Sequence, residues 1–215
     1  MRVFNVSLSL FLTMVISGCG KSPDSDTPEV GMQEATIAIP ADIGKSADAL
    51  FAAIAAPDAG NEAGNVLLSE YSGPYGGVPH FDAMDLDGIK PALEAAMARN
   101  LAEVDAITNN PQPPDFTNTI IALERAGEDL QRVFAYWGIW SSNLSTPEFR
   151  AIQQEMAPKL ADFNSKITQN EALFQRIRSV YESDEYKRLP AHEQRLVWLT
   201  YDGFASNGAT LQGEA

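Results

Sequence analysis

His192-Glu193-Gln194-Arg195-Leu196 is the stretch of this chain that comes nearest to a catalytic pattern. In H-E-x-x-H, two histidines four apart project from one helical face onto a zinc ion while the glutamate activates water. Leu196 stands in the place of the second histidine, and His80 is the one other histidine. A catalytic zinc takes three protein ligands, which these residues cannot complete. The stretch therefore reads as the polar first turn of a helix, with Leu196 facing a core. Asp85, Asp87, Gly88 and Glu94 match four positions of a calcium loop, but Ala83 occupies the first ligand position and Pro91 lies inside the loop. Helix capping is the expected role of these carboxylates. Phe134, Tyr136, Trp137 and Trp140 could form an aromatic platform for a ligand. Three of them share an apolar stripe, and Tyr136, off that stripe, is the one expected to face solvent. The 29 acidic residues are scattered rather than paired, so no general acid and base stand out. A P-loop, a dinucleotide fingerprint and a Gly-x-Ser-x-Gly elbow are all missing from the sequence.

The elements that would position such residues are helices. Asp87 is the expected N-cap of the first, with Pro91 in its opening turn. Ile89, Leu93, Met97, Leu101, Val104 and Ile107 trace one buried face every three or four residues, and Asn109-Asn110-Pro111 stops it. A second helix is expected after Pro113-Pro114, capped by Thr117 or Asn118. Its stripe is Ile120, Leu123, Leu130, Val133, Phe134, Trp137 and Trp140, with Gly127 as a weak point. Thr146 caps a third, with Pro147 at its first position and Glu148 in the first turn. Its seam is Phe149, Ile152, Met156, Leu160, Phe163 and Ile167, and Pro158 is expected to kink it. Asn170 opens a fourth, with Leu173, Phe174, Ile177 and Tyr181 inward. A last helix begins near Pro190 and turns Leu196, Leu199 and Phe204 inward. No period-2 run appears after residue 65. The fold class is all-α, a bundle or array of antiparallel helices.

Ahead of these helices the chain has a different character. Arg2, the mostly apolar run from Val3 to Ile16, and the small residues Ser17 and Gly18 before Cys19 have the layout of a secretory signal peptide. Ile16-Ser17-Gly18-Cys19 resembles the bacterial lipobox, which implies cleavage after residue 18 and lipidation of the Cys19 thiol. The run is shorter than the roughly 18 apolar residues of a spanning helix. Gly20 rather than aspartate follows Cys19, which by resemblance to sorted lipoproteins favours the outer membrane, facing the periplasm. Residues 1–18 are thus expected to be a signal peptide and residues 19–64 a flexible linker. Within it, Ser46 could cap a short Ala-rich helix through Ile54. Residues 65–215 form the helical domain. Cys19 is the only cysteine, so no disulfide can form within the chain. A formal net charge of −14 over 215 residues argues against nucleic acid, whose phosphates call for clustered Lys and Arg.

Gly73-Pro74-Tyr75-Gly76-Gly77-Val78-Pro79-His80-Phe81-Asp82, followed by Ile89-Lys90-Pro91-Ala92-Leu93-Glu94-Ala95-Ala96-Met97, resembles the opening of the thimet oligopeptidase family of zinc metallopeptidases. That family includes oligopeptidase A and the peptidyl-dipeptidases. The likeness is strongest at Asn109-Asn110-Pro111, Pro114-Asp115-Phe116-Thr117-Asn118-Thr119-Ile120 and Ala122-Leu123-Glu124-Arg125-Ala126-Gly127. It continues through Glu155-Met156-Ala157-Pro158-Lys159-Leu160 and Asn170-Glu171-Ala172-Leu173-Phe174, covering about residues 66–211. The resemblance implies an all-helical N-terminal region that walls a deep channel, admitting short peptides and excluding folded proteins. It also implies a zinc site in a later catalytic region, whose H-E-x-x-H and downstream glutamate have no counterpart here. No catalytic, cofactor-binding or metal residue is carried over, and zinc belongs to the catalytic region of the family. The expectation is a truncated or split lipid-anchored peptidase, inactive alone, with a separate catalytic half as a conceivable partner. The alternative is a free-standing helical lipoprotein that binds a peptide or a protein.

Overall fold

The computed structural model describes residues 49–52, 64–73 and 77–209. Residues 1–18, Cys19 and most of the expected linker lie outside the described residues. Among those described there is no strand, and one isolated antiparallel bridge joins Ser72 and Val78. Among the described residues from 64 onward, six α-helices carry the domain: α1 (Ile89–Thr108), α2 (Ala122–Arg125), α3 (Glu128–Asn143), α4 (Pro147–Thr168), α5 (Glu171–Tyr181) and α6 (Ala191–Phe204). The all-α expectation stands.

The side chains form two hydrophobic cores, and α1 contributes to both. The first gathers Leu67, the opening half of α1 (Ile89, Leu93, Met97), α3 (Leu130, Val133, Tyr136, Trp140) and α4 (Phe149, Met156). The second gathers the closing half of α1 (Val104, Ile107), the π-helical turn Phe116–Ile121, α5 (Leu173, Ile177, Val180) and Val197 of α6. Between the two, α1 passes through a polar waist at Arg99, Asn100 and Glu103. Leu50 and Phe51, in a helical turn within the expected linker, pack half-buried against the second core.

Caps decide where the helices begin, and two of them differ from expectation. Thr146 Oγ1 accepts from the Phe149 amide at 3.2 Å, and Asn170 Oδ1 accepts from the Leu173 amide at 2.9 Å, both as the sequence indicates. Asp87 does not cap α1. The chain turns through residues 85–88, the Asp87 amide donates to Asp85 Oδ1 at 3.2 Å, and the cap position falls to Gly88. Asn65 secures this entry instead: its Nδ2 donates to the Gly88 carbonyl at 2.9 Å while its Oδ1 accepts from the Leu67 amide at 3.1 Å. Asp115, not Thr117 or Asn118, caps the next element. Its Oδ1 accepts from the Asn118 amide at 2.6 Å, and Asn118 Oδ1 accepts from the Asp115 amide at 3.1 Å, a reciprocal capping box.

The single helix expected after Pro113-Pro114, with its stripe from Ile120 to Trp140, is broken at Gly127. Gly127 takes φ 80°, in the left-handed region, so α2 ends there and α3 starts in a new phase. That reset explains why Tyr136 is fully buried while Phe134 is 38% exposed, the reverse of the expected arrangement. Leu130, Val133, Tyr136 and Trp140 are spaced three, three and four apart, and they set the buried face of α3. α4 continues past Pro158 to Thr168. Of its expected seam, Phe149 and Met156 are fully buried; Ile152, Leu160, Phe163 and Ile167 are half-buried. In α5 Leu173, Phe174, Ile177 and Val180 are buried and in α6 Val197 is, with Tyr181, Leu196, Leu199 and Phe204 half-buried beside them.

Candidate functional site

The residues singled out for chemistry do not converge. His192 lies exposed in the first turn of α6, its Nε2 4.0 Å from Glu193 Oε1, and Leu196 packs against the second core. His80 belongs to the glycine-rich loop of residues 72–81, as its sequence indicates: its amide donates to the buried Tyr136 hydroxyl at 2.8 Å, and its Nε2 lies 3.2 Å from the Glu70 carbonyl. Asp85 and Asp87 are exposed, while Glu94 is committed to Lys159 at 2.5 Å. Among the described residues no three His, Cys, Asp or Glu side chains are grouped to hold a metal ion. The donors present do not fit a catalytic zinc.

What the described surface does offer is a groove between α1 and α4, of 240 Å³. Met97, Leu101 and Phe163 give it an apolar floor; Glu94, Lys159 and Lys166 rim it. Ion pairs lace the two helices together beside it. Lys90 pairs with Glu155, and Lys159 reaches both Glu94 and, at 3.6 Å, Glu155. The bond from Lys90 holds the Glu155 carboxyl below its ordinary range, and the bond to Glu94 raises the Lys159 ammonium. All these groups are exposed, so the pairs set register more than they add stability. The groove suits an apolar side chain in a polar setting; it presents no nucleophile with an orienting base.

The glycine-rich loop packs on the first core beside α3. Phe81 and Tyr71 meet the Tyr136 ring edge-on at 5.9 and 6.3 Å, and the Tyr71 hydroxyl donates to the Arg132 carbonyl at 3.2 Å. Burial, with the Tyr136 hydroxyl nearby, pushes the Tyr71 phenol up to about 12. Gly77 is required at its position: at φ 105° a Cβ would sit 2.7 Å from the Tyr71 carbonyl oxygen.

Sequence reasoning missed three residues that fix this architecture. Arg176 is buried in α5, donating from Nη1 to the carbonyls of Asn110 and Gln112 at 3.1 and 3.3 Å and from Nη2 to Asn118 Oδ1 at 2.8 Å. It pins the proline-rich connection between α1 and the π-helical turn. Glu103 Oε2 accepts from the Gly127 amide at 2.7 Å, satisfying the start of α3. Asp129 lies between Arg99 and Arg132, pairing with both. The one available signal for Arg176 was its place inside the apolar face of α5, between Leu173 and Ile177.

These features define an all-helical scaffold with an open groove between α1 and α4, in which no set of catalytic groups is assembled among the described residues. A family model, the N-terminal domain of neurolysin/thimet oligopeptidase, matches residues 92–215. The chain belongs to that family. It is 34% identical to dipeptidyl carboxypeptidase of Escherichia coli (strain K12) over 147 residues, covering 68% of this chain and 21% of that protein. It is 25% identical to oligopeptidase A of Salmonella typhimurium over 150 residues, 70% of this chain and 21% of that protein. The chain thus spans about a fifth of the length of the curated relatives it matches.

Proposed function

We propose that this chain is the N-terminal, non-catalytic portion of a lipid-anchored zinc peptidase of the peptidyl-dipeptidase or oligopeptidase type, supplying wall to the channel that admits short peptides. The observation that carries the reading is the match of residues 92–215 to the N-terminal domain of the family. The relatives' names, dipeptidyl carboxypeptidase and oligopeptidase A, supply the substrate class. The hydrolytic step belongs to residues beyond those described here. The α1–α4 groove is the surface offered to a peptide, with Met97, Leu101 and Phe163 able to take an apolar side chain.

In this reading Cys19 carries the lipid, at the outer membrane facing the periplasm, and zinc sits in a catalytic region that follows. Two experiments test it. Purified residues 20–215 should not hydrolyse short peptides; activity that chelator abolishes and zinc restores would overturn the non-catalytic assignment. An H-E-x-x-H in frame past codon 215 would support a longer peptidase, whereas a gene that stops without one, yielding a cooperatively folding monomer, would favour the free-standing binding module. Fatty-acid labelling lost in Cys19→Ser checks the anchor.

A further inference from the structure

Leu50 and Phe51 belong to a segment that the sequence assigns to a linker, yet both side chains are half-buried against the second core. Pro57, Gly60 and Gly64 separate the segment from the domain in sequence, and Gly64 takes φ 110°, where a helix cannot run on. Ala49–Phe51 are helical, so a turn of helix is held to the domain by its side chains.

The outer shell of the second core also carries aromatic rings. Tyr201 of α6 stacks on Tyr181 of α5 at 4.3 Å and on Phe174 at 5.6 Å, and Tyr186 leans on Tyr181 at 5.1 Å. Tyr181, Tyr186 and Tyr201 stay half-buried, in the same outer shell of the second core as Leu50 and Phe51. Among the described residues, the outer shell of the first core comes from residues 66–86, α3 and α4.

We propose that the segment centred on Leu50 and Phe51 is a strap, docked in cis on the second core and covering apolar surface there. The folded domain then includes the strap, well before Asn65. The inference does not depend on the peptidase reading, since it concerns only contacts within the chain.

Hydrogen exchange on the full chain tests it, comparing wild type with Leu50→Asp/Phe51→Asp and with the milder Leu50→Ala/Phe51→Ala. Amides of α5 and α6 should exchange about tenfold faster or more in the aspartate variant and less so in the alanine variant, because apolar burial is lost in proportion. Amides of α3 and the first half of α1 should keep their wild-type rates, and binding of a hydrophobic dye should rise. Unchanged α5–α6 exchange in both variants would overturn the strap. So would an equal acceleration across both cores, which would make the two residues part of the general fold rather than a cover for one end.

Discussion

Replacing Gly127 by alanine should be among the most damaging single-methyl changes available in this domain. An L-residue forced into the left-handed region costs about 1–2 kcal/mol, and Gly127 sits at φ 80°. The new Cβ would also lie 2.9 Å from Asn100 Nδ2, and Asn100 is buried, with 7% exposure. Overpacking of that kind costs roughly 1–3 kcal/mol. Against this, alanine restricts the unfolded chain and returns about 0.4–1 kcal/mol. The net expectation is a loss of about 2–4 kcal/mol, read as a lower urea midpoint with an unchanged slope. Gly138 supplies the control. It lies inside α3, where a Cβ would meet nothing within 4 Å, so Gly138→Ala should stabilise by about 0.5–1 kcal/mol. If Gly127→Ala matches wild type, or if both variants shift the midpoint in the same direction, the left-handed break between α2 and α3 is wrong.

Arg176→Met should destabilise by about 3 kcal/mol, since three acceptors lose a charged donor, and Arg176→Lys should not rescue because one ammonium cannot span the fork; chemical denaturation measures both. Tyr136→Phe should cost about 1–2 kcal/mol by leaving the His80 amide without its acceptor, whereas Phe134→Ala should stay within about 1 kcal/mol of wild type. The Glu155 carboxyl, held below its ordinary 4.5 by Lys90, favours the folded state above that value and loses the contribution as pH falls through its lowered folded value. The urea midpoint should therefore decline below about pH 4.5 less steeply in Glu155→Gln than in wild type.

Helix existence was legible because apolar spacing and caps agreed, as at Thr146-Pro147 and Asn170. Phase was not. A periodic pattern carried straight across Gly127 misplaced Tyr136 by assigning its neighbours to one continuous helix, and nothing local announced that the glycine would adopt a left-handed backbone. Asp87 looked like a better cap than Gly88 because the Asn65 side chain that supports the turn lies 23 residues away. Arg176 escaped notice for the same reason, its acceptors being 58 to 66 residues distant. At the H-E-x-x-H-like stretch the legible part was Leu196, read from the sequence as facing a core and found packed on the second one. The α1–α4 groove was invisible because it depends on the separation of two helices rather than on either one.

The sharing of α1 between two cores has a consequence for synthesis. Apart from its later outer shell, the first core is complete once Met156 has emerged from the ribosome, whereas the second waits for Val197. During that interval the far half of α1 presents Val104 and Ile107 with no α5 or α6 to cover them. Domains form as units while the chain is still being made, so α1 would first be fixed at one end and then serve as a preformed template for the other. Delay in translation between residues 156 and 197 should therefore lengthen the life of an exposed apolar half-helix, and with it the demand for a chaperone.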